Sequence, residues 1–236
     1  QRIGGVNGSG TTASSTAVNC RITNTSTSSY TGGVAGYITS GSANKAVSTK
    51  VSSNGSYVGG IYGYYSTYPS DDYVYDCEVK GNAQVGGLGG QAGVPVLNNT
   101  VENCKVIGKG ANVGGGIGLI AWEGSTPGVS LPEKNTGDDA LWVKDTYVYG
   151  SYQVGGAVGS ADLSAKRYSA VVENCDIRGY SRVGGILGGH NTSGKNRISR
   201  SYVRNSCISQ LDAATAAKYG ITAQTCDRFG GLFGAA

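Results

Sequence analysis

A six-residue pattern, apolar-Gly-Gly-x-x-Gly, recurs along the chain and constrains its fold more than any other feature. The copies begin at Ile3, Thr31, Val58, Val85, Val113, Val154, Val183 and Phe229. Between the first glycines of successive copies, five of the seven spacings lie within one residue of 28. The other two spacings, 41 and 46 residues, exceed 28 by 13 and 18. They indicate two insertions into an otherwise regular repeat.

A second set of columns lies nine to twelve residues before most first glycines. Its small residues are Cys20, Thr49, Cys77, Cys104, Thr146, Cys175 and Ser201. The residue before each is Asn, Asp or Ser, with Arg200 as the exception, and a β-branched residue follows two positions later. An apolar residue lies three positions earlier, which is Ile198 in the last copy. Gly, Asn or Ser lies four positions later, as at Gly81.

These columns indicate strands joined by corners rather than helices. β-branched residues pack well on a pleated surface, and Asn, Asp or Ser shapes a corner by bonding its own backbone. Gly and Asn tolerate the positive φ that we expect at the turn after the second strand. Each unit is therefore predicted to be a strand, an Asx corner, a second strand, a turn and the glycine motif.

Units of about 28 residues cannot bury a face alone, but stacked units share one core. We therefore predict an all-β fold, a right-handed parallel β-solenoid of about eight coils. It is predicted to form a single domain over 1–236, with insertions at about 119–142 and 205–228, the second holding a short helix. Close packing at one edge is predicted for the paired glycines Gly32, Gly33, Gly59, Gly60, Gly86, Gly87, Gly114, Gly115, Gly155, Gly156, Gly184 and Gly185.

The glycine copies VGGLGG and VGGILG, preceded by VENCKVIG and VENCDIRG, resemble the GLUG-motif repeats of large bacterial surface proteins. Those proteins include adhesins and the non-catalytic parts of some IgA-specific zinc metallopeptidases. The resemblance implies an extracellular, cell-surface protein whose solenoid presents loops or acts as a stalk. It supplies no catalytic residues, and the HExxH zinc motif is absent because His190 is the only histidine.

The first insertion contains both tryptophans, Trp122 and Trp142, together with the acids Glu123, Asp138 and Asp139. Loops added to a repeat scaffold often form its binding face. Indole rings beside carboxylates suit sugar recognition, because the rings stack and the acids accept hydroxyl hydrogen bonds. The alternative is that both indoles fold back and cover the flank of the solenoid.

In the second insertion, Ser209 is predicted to cap a helix from Gln210 to Tyr219, which Gly220 ends. The helix would cover the side or the end of the solenoid. Cys207 and Cys226 bracket it, and a disulfide between them would close a loop of about 20 residues. The four column cysteines are predicted to be small inward-facing residues, and no cysteine spacing indicates a metal site.

Tyrosine is concentrated between Tyr57 and Tyr75, which hold seven of the sixteen tyrosines. Strict alternation along a strand places Tyr62 and Tyr64 on one side and Tyr65 on the other, so some must face solvent. Exposed tyrosines are common recognition residues. A ladder of rings that covers an edge of the solenoid is the alternative.

Parallel β-helices also include polysaccharide lyases and glycoside hydrolases, so catalysis is a second possibility. The candidate carboxylate pairs are Asp71 with Asp72, Asp138 with Asp139, and Asp76 with Glu78. The candidate bases of a lyase are Lys195, Arg197, Arg200 and Arg204, near His190. Asp76 already belongs to the corner column, and nothing in the sequence marks the other residues as activated. We therefore predict no enzymatic activity, no cofactor and no metal.

The most economical reading is a non-enzymatic adhesin or stalk segment that binds a glycan or a surface protein. The net charge of +4 without a basic block gives no reason to expect nucleic-acid binding. No apolar run reaches the length of a membrane span. The chain opens at one glycine motif, closes just after another and lacks Met, which suggests a segment of a longer protein. Uncapped coil ends also leave a self-stacking filament as an alternative.

Overall fold

In the computed structural model, the chain winds into parallel coils, each of which contributes one strand to each of four sheets. The structure describes residues 1–66, 70–93, 98–121, 140–162, 167–190, 197–198, 200–225 and 228–234. We name the sheets A to D in the order in which the chain visits them. Sheet A has eight strands and sheets B, C and D have seven each. The right-handed parallel solenoid is confirmed, although the chain completes fewer turns than the eight coils predicted.

Successive strands of one sheet come from successive coils. Sheet A consists of Arg2–Gly4, Tyr30–Gly32, Val58–Gly59, Val85–Gly86, Ala111–Gly114, Tyr152–Gly155, Ser181–Gly184 and Phe229–Gly230. Sheet B consists of Asn7–Thr11, Ala35–Ser40, Tyr62–Tyr65, Gly89–Ala92, Ile117–Ala121, Val158–Asp162 and Leu187–His190. Sheet C consists of Thr16–Val18, Lys45–Val47, Tyr73–Tyr75, Asn99–Glu102, Leu141–Lys144, Ala170–Glu173 and Tyr202–Arg204. Sheet D consists of Arg21–Asn24, Lys50–Ser53, Glu78–Gly81, Lys105–Gly108, Tyr147–Tyr149, Asp176–Gly179 and Cys207–Gln210. Arg167–Tyr168 and Arg197–Ile198 form a separate parallel pair.

The glycine motif brings the backbones of sheets A and B into direct contact. A Cβ atom built on Gly59 would lie 2.2 Å from the carbonyl oxygen of Tyr62 in sheet B. One built on Gly87 would lie 2.2 Å from the carbonyl oxygen of Gly115 in the next coil. Because real Cβ atoms do not approach backbone so closely, only glycine fits at these positions. The predicted close packing of the paired glycines is confirmed.

Sheets C and D meet at the predicted Asx corner. Its residues have positive φ angles of 45° to 54°, which Asn and Asp tolerate better than most residues. They are Asn19, Ser48, Asp76, Asn103, Asp145, Asn174 and Asn205. The apolar and β-branched columns on either side point inward, as Val101 and Val106 do with no exposed area.

The small residue after each corner joins neighbouring coils through its side chain. The Cys104 thiol donates to the carbonyl oxygen of Glu102 (3.0 Å) and accepts from the backbone N–H of Cys77 (3.4 Å). In the next coil, the hydroxyl of Thr146 donates to Lys144 and accepts from the backbone N–H of Cys104. The column therefore needs a small side chain that both donates and accepts, which Cys, Thr and Ser supply.

Two expectations about the turn and the last repeat are wrong. The column glycines Gly81, Gly108, Gly150 and Gly179 do not have positive φ. Instead, a Cβ atom on Gly81 would lie 2.7 Å from a methyl of Val58. The lack of space beside the valines of sheet A therefore explains why glycine occupies this position. In the last repeat the small residue is Ser206 rather than Ser201, because Val172 pairs with Val203 and the backbone N–H of Cys175 donates to the Ser206 hydroxyl at 3.0 Å.

The register shift also moves the second insertion. Cys207–Gln210 forms a sheet D strand, so the insertion begins after Gln210 rather than at residue 205. The helix, α1, covers Ala213–Tyr219 and is capped by Asp212 instead of Ser209. The Asp212 carboxylate accepts from the backbone N–H of Thr215 at 2.8 Å, and Gly220 ends the helix with φ 64°.

Helix α1 covers the side of the solenoid, one of the two positions expected. Leu211, Ala216 and Ile221 pack on Ile107 and Tyr149 of sheet D. The first insertion is also shorter than its predicted range of 119–142. Its predicted ends lie within the strands Ile117–Ala121 of sheet B and Leu141–Lys144 of sheet C.

Candidate functional site

Most of the predicted insertion site lies outside the described residues. Trp122, Glu123, Asp138 and Asp139 belong to that part of the chain, so their binding role stays a prediction. Trp142 lies instead in sheet C, in register with Thr100 and Val171. Its indole is half-buried, and the ammonium of Lys144 lies 4.7 Å from the ring centroid.

The predicted alternation of the sheet B tyrosines is wrong. Tyr62 and Tyr65 both lie in the core with no exposed area, and their rings meet edge to face at 4.9 Å. Alternation fails because Gly63 lies against the backbone of sheet A, where its Cβ would be 2.4 Å from the Thr31 nitrogen. Tyr64 alone of the three lies outside the core cluster, and it is buried by its neighbours, with only 8 % of it exposed.

Tyr64 belongs to a group of outer rings, the tyrosine cluster, formed by Tyr30, Tyr37, Tyr57 and Tyr64. Tyr30 and Tyr57 come from neighbouring coils of sheet A and their centroids are 4.9 Å apart. Tyr37 and Tyr64 come from the same coils of sheet B and stack at 5.0 Å with an angle of 12°. Tyr30 also lies 5.5 Å from Tyr64, which joins the two pairs into one surface.

The register of the coils explains why the cluster is local. The sheet A column reads Arg2, Tyr30, Tyr57 and then Gln84 from coil to coil, and Tyr64 pairs with Gln91 in the next coil of sheet B. Amide side chains therefore replace the rings beyond the third coil. The cluster is a patch at the first coils and does not extend along the whole rod.

A cation and a small depression flank the tyrosine cluster. The Arg2 guanidinium carbon lies 4.3 Å from the Tyr37 centroid, and Arg2 also donates to the Ser9 hydroxyl at 2.9 Å. A depression of about 140 Å³ is lined by Gln1, Arg2, Ser28, Ser29, Tyr30 and Tyr57. Tyr30, Tyr37 and Tyr57 are half-buried, so their rings are held by neighbours but still reach solvent. Ring faces, hydroxyls and a guanidinium together suit contact with a sugar.

The carboxylate pair Asp71 and Asp72 is split by the fold. Asp71 is exposed, whereas Asp72 is buried between sheets B and C. The Asp72 Oδ1 atom accepts from the backbone N–H (2.7 Å) and the side-chain amide of Asn44. Its Oδ2 atom has no partner among the described residues. Burial raises the pKa of Asp72 to about 7, and the hydrogen bonds from Asn44 oppose that rise.

The pair Asp76 and Glu78 lies on the outside of the corner. Asp76 accepts from the Ser48 hydroxyl at 2.8 Å, and Glu78 forms an ion pair with Lys80. Lys80, Lys50 and Lys105 lower the pKa of Glu78 against the opposing effect of its partial burial. A carboxyl that is held ionised in this way is suited to accept hydrogen bonds rather than to donate a proton.

The structure places the described basic candidates on different elements. Arg204 forms an ion pair with Glu173 at 2.6 Å, and Arg200 takes a positive-φ position before sheet C. Arg197 lies in the separate strand pair, and Lys195 falls outside the described residues. His190 ends a strand of sheet B.

The predicted disulfide stays a prediction because Cys226 lies outside the described residues. Its proposed partner, Cys207, is exposed on sheet D. The predicted inward position is confirmed for the buried thiols of Cys77, Cys104 and Cys175, whereas Cys20 is half-buried. Among the residues that the structure describes, no three His, Cys, Asp or Glu side chains cluster as metal ligands.

The fold also forms a groove that the sequence analysis missed. This lysine groove, of about 450 Å³, lies where sheets C and D meet and is lined chiefly by Lys50, Lys105, Glu78, Asp76, Asn103 and Tyr147. Its charged residues occupy equivalent positions 27 or 28 residues apart in the sequence. The repeat register was the signal that would have placed them side by side.

Comparisons with protein families, with curated proteins and with solved structures gave no match. No helix in the described parts of the chain is long and apolar enough to cross a membrane.

Proposed function

We propose that this chain is a non-enzymatic binding segment of an extracellular surface protein, similar to the GLUG-motif adhesins, and that it recognises a glycan at the tyrosine cluster. The observation that carries the proposal is the set of four rings that contact one another outside the core, of which Tyr30, Tyr37 and Tyr57 reach solvent. Rigid aromatic side chains lose little conformational entropy on binding and offer apolar faces to sugar rings.

The scaffold supports this function because it fixes the rings without using them in the core. The inward positions of the same strands are filled by other residues, such as Ala35 and Ile38, which have no exposed area. Arg2 adds a cation and hydrogen-bond donors beside the rings. The cluster can therefore pack on an apolar sugar face and donate to its oxygens at the same time.

A binding experiment with paired variants tests this site. The Tyr37→Leu/Tyr57→Leu double variant keeps apolar bulk but removes two ring faces. We expect it to weaken binding of the preferred glycan, found by calorimetric titration of a polysaccharide panel, by about tenfold or more. The matched control, Tyr75→Leu/Tyr202→Leu, replaces two exposed sheet C tyrosines and should bind within twofold of the unaltered protein. Equal binding by both double variants would refute the site.

Self-association is a second candidate, favoured by apolar side chains at both ends of the rod. Val6 and Val18 of the first coil are 53 % and 51 % exposed, and Phe229 and Phe233 of the last are 44 % and 38 % exposed. Light scattering should then show a mass that rises with concentration in the unaltered protein and stays monomeric in Phe229→Ser/Phe233→Ser. A concentration-independent monomer mass for the unaltered protein would exclude this candidate.

A further inference from the structure

Sheet D carries a line of charged residues on its outer face, contributed by successive coils. Register pairs Arg21 with Lys50, Lys50 with Glu78, Glu78 with Lys105, and Lys105 with Tyr147. Neighbouring coils lie about 4.8 Å apart, so Lys50 and Lys105 are separated by roughly two such steps. No sequence window contains this line, because its members lie one repeat apart.

Helix α1 brings one further lysine, Lys218, and the ring of Tyr219 to the same face. The Tyr219 ring centroid lies 5.6 Å from the ammonium of Lys80, 5.5 Å from that of Lys105 and 5.3 Å from that of Lys218. Lys105 and Lys218 lower the pKa of the Tyr219 phenol through hydrogen bonding and charge. Lys105 is also 5.6 Å from the Tyr147 ring, so this cation lies between two aromatic side chains.

The positive charge of this face is incompletely balanced. Glu78 forms an ion pair with Lys80. Among the described residues, Lys50, Lys105 and Lys218 have no carboxylate oxygen within ion-pair distance. Lys105 and Lys218 contact the same Tyr219 ring and repel one another, and an anionic ligand relieves this repulsion.

We propose that the lysine groove, together with Tyr219 of helix α1, is a binding site for an acidic polysaccharide. The lysines bind its carboxylate or sulfate groups as point charges on flexible stems. Tyr147 and Tyr219 contact the sugar faces. Asp76, Glu78 and Asn103 accept hydrogen bonds from the hydroxyls. This site lies on sheet D and does not depend on the tyrosine cluster of sheets A and B.

The mixture of charges favours a polysaccharide over a nucleic acid. A nucleic-acid backbone presents closely spaced phosphates and few hydroxyl donors, so Asp76 and Glu78 would repel it without forming hydrogen bonds. An acidic polysaccharide alternates anionic groups with hydroxyls, which matches a groove that alternates ammonium groups with carboxylates. The arginine forks typical of phosphate recognition are also absent from the groove's described lining.

The test is titration of the full chain with heparin, polygalacturonate, dextran and single-stranded poly(dT) at several salt concentrations. We expect heparin and polygalacturonate to bind at low salt, with affinity that falls as salt rises, and dextran not to bind at this site. The Lys50→Gln/Lys105→Gln variant should lose about tenfold or more in affinity and have a shallower salt dependence. The single variant Lys218→Gln, on the exposed helix, should show a smaller loss in the same direction.

The control variant, Lys45→Gln/Lys144→Gln, removes the same charge from sheet C and should bind within twofold of the unaltered protein. An equal loss in both double variants would overturn the proposal, because it would show attraction to net charge alone. Poly(dT) bound as tightly as heparin, or no binding of either acidic polysaccharide, would also overturn it. Because Tyr37→Leu/Tyr57→Leu leaves this groove intact, it should bind heparin normally, which separates failure here from failure at the tyrosine cluster.

Discussion

Sheets A and B differ from sheets C and D in what fills the space between them. Between A and B the backbones touch at glycines and leave no room for a Cβ atom, as at Gly59 and Gly87. Between C and D the corner encloses side chains, such as Val101, Val106 and Cys104. The first pair therefore tolerates almost no substitution inside, whereas the second tolerates exchange among side chains of similar size. In both pairs, the proposed binding surfaces lie on the outer faces.

The largest expected effect tests the close backbone contact that the glycine motif makes between neighbouring coils. Gly87→Ala places a Cβ atom 2.2 Å from the Gly115 carbonyl oxygen, so the backbone of two coils must move. We expect a loss of at least about 3 kcal/mol in the free energy of unfolding, measured with urea. Gly93→Ala is the control, because its nearest atom would be 3.5 Å away, and it should change stability by less than about 1 kcal/mol. Similar losses in the two variants would contradict the contact.

The next effect concerns Asp72, buried between the two halves of the coil. Burial raises its pKa from 3.8 to about 7, so the folded state holds this proton more tightly than the unfolded chain. Its contribution to stability is therefore complete below about pH 4 and is lost as pH rises towards 7, by roughly 2 to 4 kcal/mol. Asp72→Asn should flatten this fall and raise stability at pH 8.

The control for Asp72 is Asp76→Asn, which changes an exposed corner carboxylate to a residue that the same column uses in other coils. The stability of this variant should fall between pH 4 and 7 as much as that of the unaltered protein. Thermal unfolding at a series of pH values measures both variants. An unchanged decline in Asp72→Asn would show that another group is responsible.

The smallest effect tests the tolerance of sheets C and D. Cys104→Thr supplies the donor and acceptor that Thr146 uses in the next coil, so the change should be below about 1 kcal/mol. Cys104→Val has a similar shape but leaves the buried N–H of Cys77 without its 3.4 Å acceptor, at a cost of about 1 to 3 kcal/mol. If urea unfolding showed Cys104→Val to be more stable than Cys104→Thr, the hydrogen bonds of this column would have no role in stability.

The sequence predicted the coil correctly at positions where a single local constraint admits only one or a few residue types. The motif glycines, the inward β-branched column and the place of the Asx corner followed from rules that act within one repeat, whereas the positive φ expected at the following turn occurs at the corner instead. The register predicted for the last repeat was wrong because Ile198, Ser201 and Val203 match the column pattern five residues too early. Only the pairing with the neighbouring coil identifies Ser206 as the small residue. The orientation of Tyr65 failed because Gly63 packs on a strand of another coil.

The binding surfaces were harder to predict than the fold, because they are assembled across coils. The tyrosine cluster includes Tyr30 and Tyr37, which lie outside the tyrosine-rich stretch but one repeat away from Tyr57 and Tyr64. The lysine groove depends on the same spacing and also on helix α1, whose position over sheet D no local pattern specifies. Aligning the repeats by register before searching for sites would recover the first kind of neighbour but not the second.

Native electrophoresis in gels cast with a panel of polysaccharides, followed by staining of the polysaccharide itself, tests most directly whether this chain binds glycans without cleaving them. Binding slows the protein in the gel that contains its ligand, and catalysis clears the stain around the band. We expect the unaltered protein to migrate more slowly in the gel that contains its ligand while the polysaccharide stain stays intact. In a gel cast with a neutral glycan that slows the unaltered protein, the Tyr37→Leu/Tyr57→Leu variant should migrate at its normal rate. A cleared zone around the band would contradict the account and direct attention to the carboxylates, and unaltered migration in every gel would leave the tyrosine cluster without a glycan ligand.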